Sequence, residues 1–291
     1  MNMLTVTILF GSGILLTGYK HLWYAENTET VICVNGLFKN EADKVVNRRG
    51  AMIYVISDLH GCLREFKQLL KSIHFSEKDE LYILGDMMDR GSEPIKLIQL
   101  LMMYGNIYPI MGNHDYMALK VLSKLNFEIS EESLAALSSD DLMDYLYWTQ
   151  DGGEITARQF TALDMESRED ILEYLGECSF YEEIMLNGRR YVLVHAGLDH
   201  FEENRELDSY GLAELIFVRA DYTRRYFTDE NTYLITGHTP TRTIREDRKD
   251  LVYQENGHIA LDCGCVYGGK LAAFCLDNRQ IYYVDSCEGR E

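Results

Sequence analysis

Three times between residues 52 and 115 the chain runs apolar, turns abruptly polar beside a glycine, and resumes with helical periodicity. The first pass is Met52–Ser57, then Asp58-Leu59-His60-Gly61, then Leu63, Phe66, Leu69, Leu70 and Ile73 at helix spacing. The second is Leu81-Tyr82-Ile83-Leu84, then Gly85-Asp86-Met87-Met88-Asp89-Arg90-Gly91, then Ile95, Leu97, Ile98, Leu100 and Leu101. The third is Ile107–Met111, then Gly112-Asn113-His114-Asp115, again followed by a helical pattern. Asp58 to Asp86 is 28 residues and Asp86 to Asn113 is 27, about one strand–helix–strand unit each. Parallel strands built this way carry their polar loops to one edge of the sheet, so residues distant in sequence converge there.

The rest of the chain extends this plan. Residues 116 to about 180 predict a helical insertion, including Ser133–Tyr147 and Arg168–Leu175 and interrupted at Gly152-Gly153. Strands resume at Tyr191–Val194, ending in His195-Ala196-Gly197, and at Tyr233–Thr236, ending in Gly237-His238-Thr239. The tail, Ile259–Asp262, Leu271–Leu276 and Ile281–Val284, predicts a β meander that supplies a second sheet. The fold class is therefore α/β, with one domain over residues 52–291 and a helical insertion at about 116–180.

Residues 1–51 form an N-terminal extension that does not belong to this pattern. The apolar run Met3–Leu16 is shorter than the ~20 residues of a membrane span. No Lys or Arg precedes it, as a signal peptide would require. Arg48-Arg49-Gly50-Ala51 stands directly before Met52. Two AGG-type codons there would spell a bacterial ribosome-binding site, so translation is expected to start at Met52. An intact mass that includes Met1 would refute this.

The formal net charge of −19 argues against a nucleic-acid partner, because phosphate backbones are held by Lys and Arg. It does not exclude a phosphorylated substrate, since bound divalent ions would be the largest local charges in a site. Acidic residues concentrate between Glu128 and Glu183, which reads as a solvated helical face. The seven cysteines form no metal-binding set and read as reduced thiols, implying a cytoplasmic protein with no membrane association.

Asp58, His60, Asp86, Asn113, His195 and His238 each stand on a strand-end loop beside a glycine. Carboxylate, amide and imidazole donors of this kind suit Mn, Fe or Zn. Two ions about 3.5–4 Å apart need a bridging carboxylate, and Asp86 is central in the sequence order. Any one of these residues could be a helix cap or a buried core group. Five such loops together point to a metal site.

The motifs at 58–61, 85–91, 112–115, 195–197 and 237–238 resemble the signature of the phosphoprotein phosphatase family of calcineurin-like metallophosphoesterases. Gly237-His238-Thr239-Pro240 with Asp262–Gly269 is similar to its prokaryotic and phage branch. The resemblance covers residues 52–285 and implies a four-layer α/β/β/α sandwich and two divalent ions, Mn²⁺ first, with Fe or Zn as alternatives. Asp58 and His60 would hold one ion, Asn113, His195 and His238 the other, and Asp86 would bridge. His114 matches the general acid, Asp89 its orienting partner, Arg90 a phosphate-binding arginine, and Arg219 a second one.

The resemblance leads to a serine/threonine protein phosphatase, with phosphotyrosine also within reach, acting on a phosphorylated protein or a small phosphoester. A symmetrical dinucleoside tetraphosphate hydrolase is the alternative, and a non-catalytic scaffold the third reading. Asp89 and the short segment between Gly197 and Gly237 favour the protein phosphatase. Tyr267 lies in a loop that approaches the site.

Overall fold

The computed structural model describes residues 50–126 and 138–287, so the expected N-terminal extension lies outside the described residues except for Gly50 and Ala51. The three predicted passes are present. β1 (Ile53–Ile56), β2 (Glu80–Ile83) and β3 (Ile107–Pro109) are parallel, with Ile56 opposite Ile83 and Leu81 opposite Ile107. This register brings the loops after β1, β2 and β3 to one edge. Helices α1 (Leu63–Ser72), α2 (Pro94–Leu101) and α3 (Asn113–Leu125) follow the three strands in turn.

A second sheet contains β4 (Tyr181–Leu186), β5 (Arg189–Val194), β6 (Thr232–Thr236), β7 (Tyr253–Glu255) and β8 (His258–Ala260). Its order is β4-β5-β6-β8-β7. β5, β6 and β8 are parallel, and β4 and β7 close the two edges antiparallel.

The tail departs from the expected meander. β8 joins β6 in the second sheet. β9 (Lys270–Cys275) instead pairs antiparallel with β1 and with β10 (Ile281–Asp285), giving a first sheet of order β10-β9-β1-β2-β3. The reason is burial. Leu271 through Cys275 are all shielded, on both faces, so β9 takes an interior place in a sheet covered on both sides.

Side-chain alternation explains the layers. Ile53 and Val55 pack with Tyr191, Leu193, Ile235, Ile259, Ala272 and Phe274 between the sheets. Tyr54 and Ile56 point the other way, into a cluster with Phe66 and Leu69 of α1. On the second sheet Val192, Val194 and Leu234 join a cluster with Leu215, Ile216, Tyr222 and Tyr226. This outer layer is thin, a long connection carrying the short helix α7 (Leu212–Ile216). Each fully buried aliphatic or aromatic side chain contributes about 2 kcal/mol.

Among the described residues the helical insertion contains α4 (Ser139–Trp148), α5 (Glu154–Thr161) and α6 (Met165–Gly176), and the start of the helix expected from Ser133 lies outside the described residues. Ser138 caps α4, accepting from Asp141 N at 3.1 Å while Asp141 Oδ2 accepts from Ser138 N at 3.0 Å. α4 and α5 are joined by one π turn, Thr149–Gly153, where Asp151 and Gly152 leave helical geometry. A last short helix, α8 (Thr241–Ile244), follows the loop after β6. Among the described residues no helix is long and apolar enough to cross a membrane. Among the described residues no cysteine forms a disulfide.

Candidate metal centre

The polar loops are locked to one another by their backbones. Asp58 N donates to Gly85 O (3.2 Å), His60 N to Asp86 O (2.8 Å), and Gly237 N to His195 O (2.8 Å). Gly85 and Gly112 touch back to back. A Cβ on Gly112 would lie 2.2 Å from Asp86 N and 2.3 Å from Asp86 Oδ1. Asp86 can reach the centre only because Gly112 has no side chain.

Asp86 stands in the middle. Its Oδ2 lies 3.6 Å from His60 Nε2, and its Oδ1 lies 3.5 Å from His195 Nε2 and accepts from His114 N at 2.9 Å. Two groups of donors form around it, His60–Asp86–His114 and Asp86–His195–His238, each with ligand atoms within 4.8 Å of one another. Asp86 belongs to both. Asn113 joins the second group through Oδ1, 2.9 Å from His195 Nε2.

The chemistry of these donors fits cations. His195 Nδ1 donates to Leu84 O at 2.6 Å, which leaves Nε2 as a lone pair. That lone pair faces Asn113 Oδ1 and, at 3.2 Å, His238 Nδ1. His60 Nδ1 donates to Met88 O at 2.8 Å, so its Nε2 also faces the centre as an acceptor. The His195 and His60 Nε2 lone pairs, the Asp86 carboxylate and Asn113 Oδ1 thus converge, a nitrogen and oxygen donor set that suits a positive ion. Burial and the neighbouring imidazoles push His60 and His238 down to about 3, in keeping with neutral ligands.

Three buried carboxylates add to this demand. Burial, together with Asp262 and Asp86, pushes Asp58 well above the usual carboxylate range, and burial lifts Asp262 to about 6. Asp86 is also pushed up by burial, but the His195, His114 and His60 imidazoles outweigh that and hold it low. Asp58 is turned toward the His238 backbone, accepting from its N at 3.0 Å, and toward the Ser57 hydroxyl. It flanks the two donor groups rather than belonging to either, and His114 takes that place beside His60.

His114 has a second environment. Its Nδ1 lies 2.8 Å from Asp89 Oδ2. Asp89 is fully buried and also accepts from Trp148 Nε1 (2.7 Å) and Thr156 Oγ1 (2.7 Å). Burial pulls His114 down, but the Asp86 and Asp89 charges outweigh it and leave His114 raised. Arg90 Nη1 lies 2.9 Å from His60 Nε2, and its guanidinium sits 5.6 Å from the Tyr267 ring centre. Arg219 donates to Thr239 Oγ1 at 3.1 Å, on the loop that carries His238.

All ten expected site residues thus converge on this edge. Sequence reasoning missed Trp148 and Thr156, which hold Asp89, and Asp151, which accepts from Arg90 Nη2 at 2.9 Å. It also missed Asp115, whose Oδ1 accepts from Met87 N and Met88 N. The insertion is therefore part of the site and more than a solvated face. The Gly152-Gly153 break inside a helical pattern was the available signal.

Residues 51–258 match the family of calcineurin-like phosphoesterases. The chain is a calcineurin-like phosphoesterase. This metallophosphoesterase is 39% identical to a symmetrical bis(5'-nucleosyl)-tetraphosphatase of Nitrosococcus oceani, over 81% of the chain and 98% of the relative. It is 29% identical to the protein of that name from Nitrosospira multiformis, over 81% and 97%. In structure it resembles a putative diadenosine tetraphosphatase, with a TM-score of 0.54 at 20% identity, covering 82% of this chain and 95% of the other.

These relatives overturn the expectation of a serine/threonine protein phosphatase and of a phosphorylated protein as substrate. The phosphoesterase belongs to the superfamily, and its placement in the phosphoprotein phosphatase branch is not supported. The physical fault lay with Asp89. It is fully buried behind His114, and its oxygens are taken by His114, Trp148 and Thr156, so it reports how the imidazole is held rather than what is cleaved.

Proposed function

We propose that this phosphoesterase hydrolyses dinucleoside tetraphosphates symmetrically, releasing two nucleoside diphosphates. The observation that carries the reading is the 39% identity to a relative of that name, extending over 98% of the relative's length. The site is compatible with it. Arg90 and Arg219, with the divalent ions that the donors would hold, would place positive charge at one edge of an otherwise acidic chain, which suits a polyanionic substrate.

In this reading Asp58 and His60 would hold one ion and Asn113, His195 and His238 the other, with Asp86, common to both donor groups, serving both. The oxygen and nitrogen donor set suits Mn²⁺ first, with Fe or Zn also compatible. When bound, such a pair supplies an activated water and draws charge from the phosphoryl oxygens. Arg90 and Arg219 bind the remaining oxygens. His114 keeps Nδ1–H on Asp89 and presents a protonated Nε2 to the leaving oxygen. Asp89, itself fixed by Trp148 and Thr156, sets the ring's orientation. Reduced thiols at the six described cysteines suit a cytoplasmic setting.

The test is a Mn²⁺-loaded panel of diadenosine tetraphosphate against phosphoserine, phosphothreonine and phosphotyrosine peptides, with nucleotide products separated by ion-pair chromatography. ADP as the sole nucleotide product is expected. Equal amounts of AMP and ATP, or turnover of the peptides alone, would refute the reading.

A further inference from the structure

The π turn between α4 and α5 delivers a carboxylate onto the groups assigned to the substrate. Asp151 Oδ1 accepts from Arg90 Nη2 at 2.9 Å, and Asp151 Oδ2 lies 3.4 Å from His114 Nε2. One anion thus bridges the phosphate-binding arginine and the proton-donating nitrogen. Its side chain is nevertheless 54% exposed, while the His114 side chain is 1% exposed.

The frame beneath it is rigid. Arg90 N donates to Gly152 O at 2.9 Å, and Gly152, at φ 104°, packs so closely that a Cβ there would lie 2.5 Å from Arg90 Cγ. Trp148 before the turn and Thr156 after it are both bonded to buried Asp89. The backbone of the turn is therefore pinned from three sides. The Asp151 side chain borders solvent and can swing aside by a rotamer change. A carboxylate presents two oxygens of the same charge sign, and nearly the same spacing, as a phosphoryl edge.

We propose that Asp151 is a built-in competitor for phosphate, resting on Arg90 and His114 until the substrate's phosphoryl group displaces it, and so determines which phosphates the site retains. A polyphosphate chain also held at the metal-binding donors displaces it readily. A lone orthophosphate, having fewer contacts elsewhere, competes poorly and leaves. A residue that merely positioned Arg90 would need no contact with His114 Nε2 and would strengthen phosphate binding. A competitor weakens it.

The inference rests on the reading of Arg90 and His114 as phosphate-facing groups, and its test stands apart from substrate identity. Orthophosphate is titrated calorimetrically into Mn²⁺-loaded wild type and into Asp151→Asn and Asp151→Ser. The same proteins are assayed for orthophosphate inhibition of p-nitrophenyl phosphate hydrolysis. Loss of a half-exposed ion pair predicts about fivefold tighter orthophosphate in both variants and a KM lowered in proportion. Thermal melts confirm that the variants are folded, and two substitutions at an exposed position guard against the failure of one. Orthophosphate binding that is unchanged or weaker overturns the proposal, and weaker binding with a raised KM assigns Asp151 to the positioning of Arg90. If wild type leaves diadenosine tetraphosphate intact, the proposed function falls while the orthophosphate titration still decides the role of Asp151.

Discussion

Replacing Asp89 by Asn tests the acid chemistry through one charge. The wild-type carboxylate accepts from His114 Nδ1 (2.8 Å) and Trp148 Nε1 (2.7 Å) on Oδ2, and from Thr156 Oγ1 (2.7 Å) on Oδ1. An Asn side chain has the same shape. Its one oxygen satisfies the two N–H donors, and its NH₂ meets the Thr156 hydroxyl, which then accepts. Hydrogen bonding survives and the negative charge does not. A charge-assisted bond contributes about 1.5–3 kcal/mol against about 1 kcal/mol for a neutral one. The loss is thus about 0.5–2 kcal/mol on the charged imidazole, or about one pKa unit. The sign follows from the wild-type balance, in which burial lowers His114 and the Asp86 and Asp89 charges raise it. Removing one of those charges lowers it, and a general acid works only below its pKa. The alkaline limb of the kcat profile should therefore move about one pH unit down, so turnover falls about tenfold above the limb and little below it. The assay is kcat against pH on an alkyl phosphate, whose leaving oxygen needs the proton. Metal per chain is measured in parallel, because His114 also stands in a donor group. An alkaline limb that stays in place, or uniform loss accompanied by loss of metal, would refute the acid assignment.

Other perturbations probe the supporting structure. Trp148→Phe removes the N–H donated to Asp89 and thins the packing around it, and should cost about 2–3 kcal/mol in urea denaturation; a loss below about 0.5 kcal/mol would contradict the role given to the indole. Gly112→Ala places a Cβ 2.2 Å from Asp86 N, so plasma emission analysis should find fewer than two ions per chain, and full occupancy would show that the loops can separate. His258 is buried against the Tyr222 ring (centroids 4.6 Å apart), bonded to Thr236 Oγ1 at 2.8 Å, and pushed down to about 3 by burial. The unfolded chain takes up that proton near pH 6.5 and the native one does not, so stability is full above pH 6.5 and falls toward pH 3, by at most about 5 kcal/mol. His258→Phe should flatten this slope in melts recorded across the range, and an undiminished slope would place the acid sensitivity elsewhere.

The parallel core and its site were legible because both follow from short-range patterns. Buried strands of four residues, helices at 3.6-residue spacing and donors at strand ends fix which edge carries the chemistry. Ile56 opposite Ile83, with Asp58 and Asp86 both just beyond the strand ends, is what the 28-residue spacing demanded. The support behind the donors was not legible. Trp148 and Thr156 reach Asp89 across 59 and 67 residues, and no local pattern encodes that distance. β9 was misassigned for a related reason. Continuous burial announces a strand covered on both faces, yet two sheets here offer such places, and only the pairing of Val55 with Phe274 chooses between them. Substrate choice was misread because it was inferred from the length of the Gly197–Gly237 segment and from Asp89, a group that faces protein on every side.

The site backbone is held under strain that the metals need not supply. Asp58, His60, Asp86, Asp89, Arg90 and His238 all have positive φ, between 40° and 71°. A left-handed conformation costs a non-glycine residue about 1–2 kcal/mol, so six of them together approach the ~5–15 kcal/mol net stability of a whole domain. Something local must offset this. The loop-to-loop bonds Asp58 N–Gly85 O, His60 N–Asp86 O and Gly61 N–Met87 O tie the first two loops together. The strands entering them end in Ile56 and Ile83, which have no exposed surface. The donors are thus aimed by backbone and core rather than by the ions they would hold. This is unlike a small structural zinc site, whose ligands gather only when metal binds and whose binding energy is folding energy. A scaffold that aims its donors in advance can release and rebind metal without losing the fold, and its strained turns are where Asp89 and Arg90 obtain the orientations that His114 and a phosphate require.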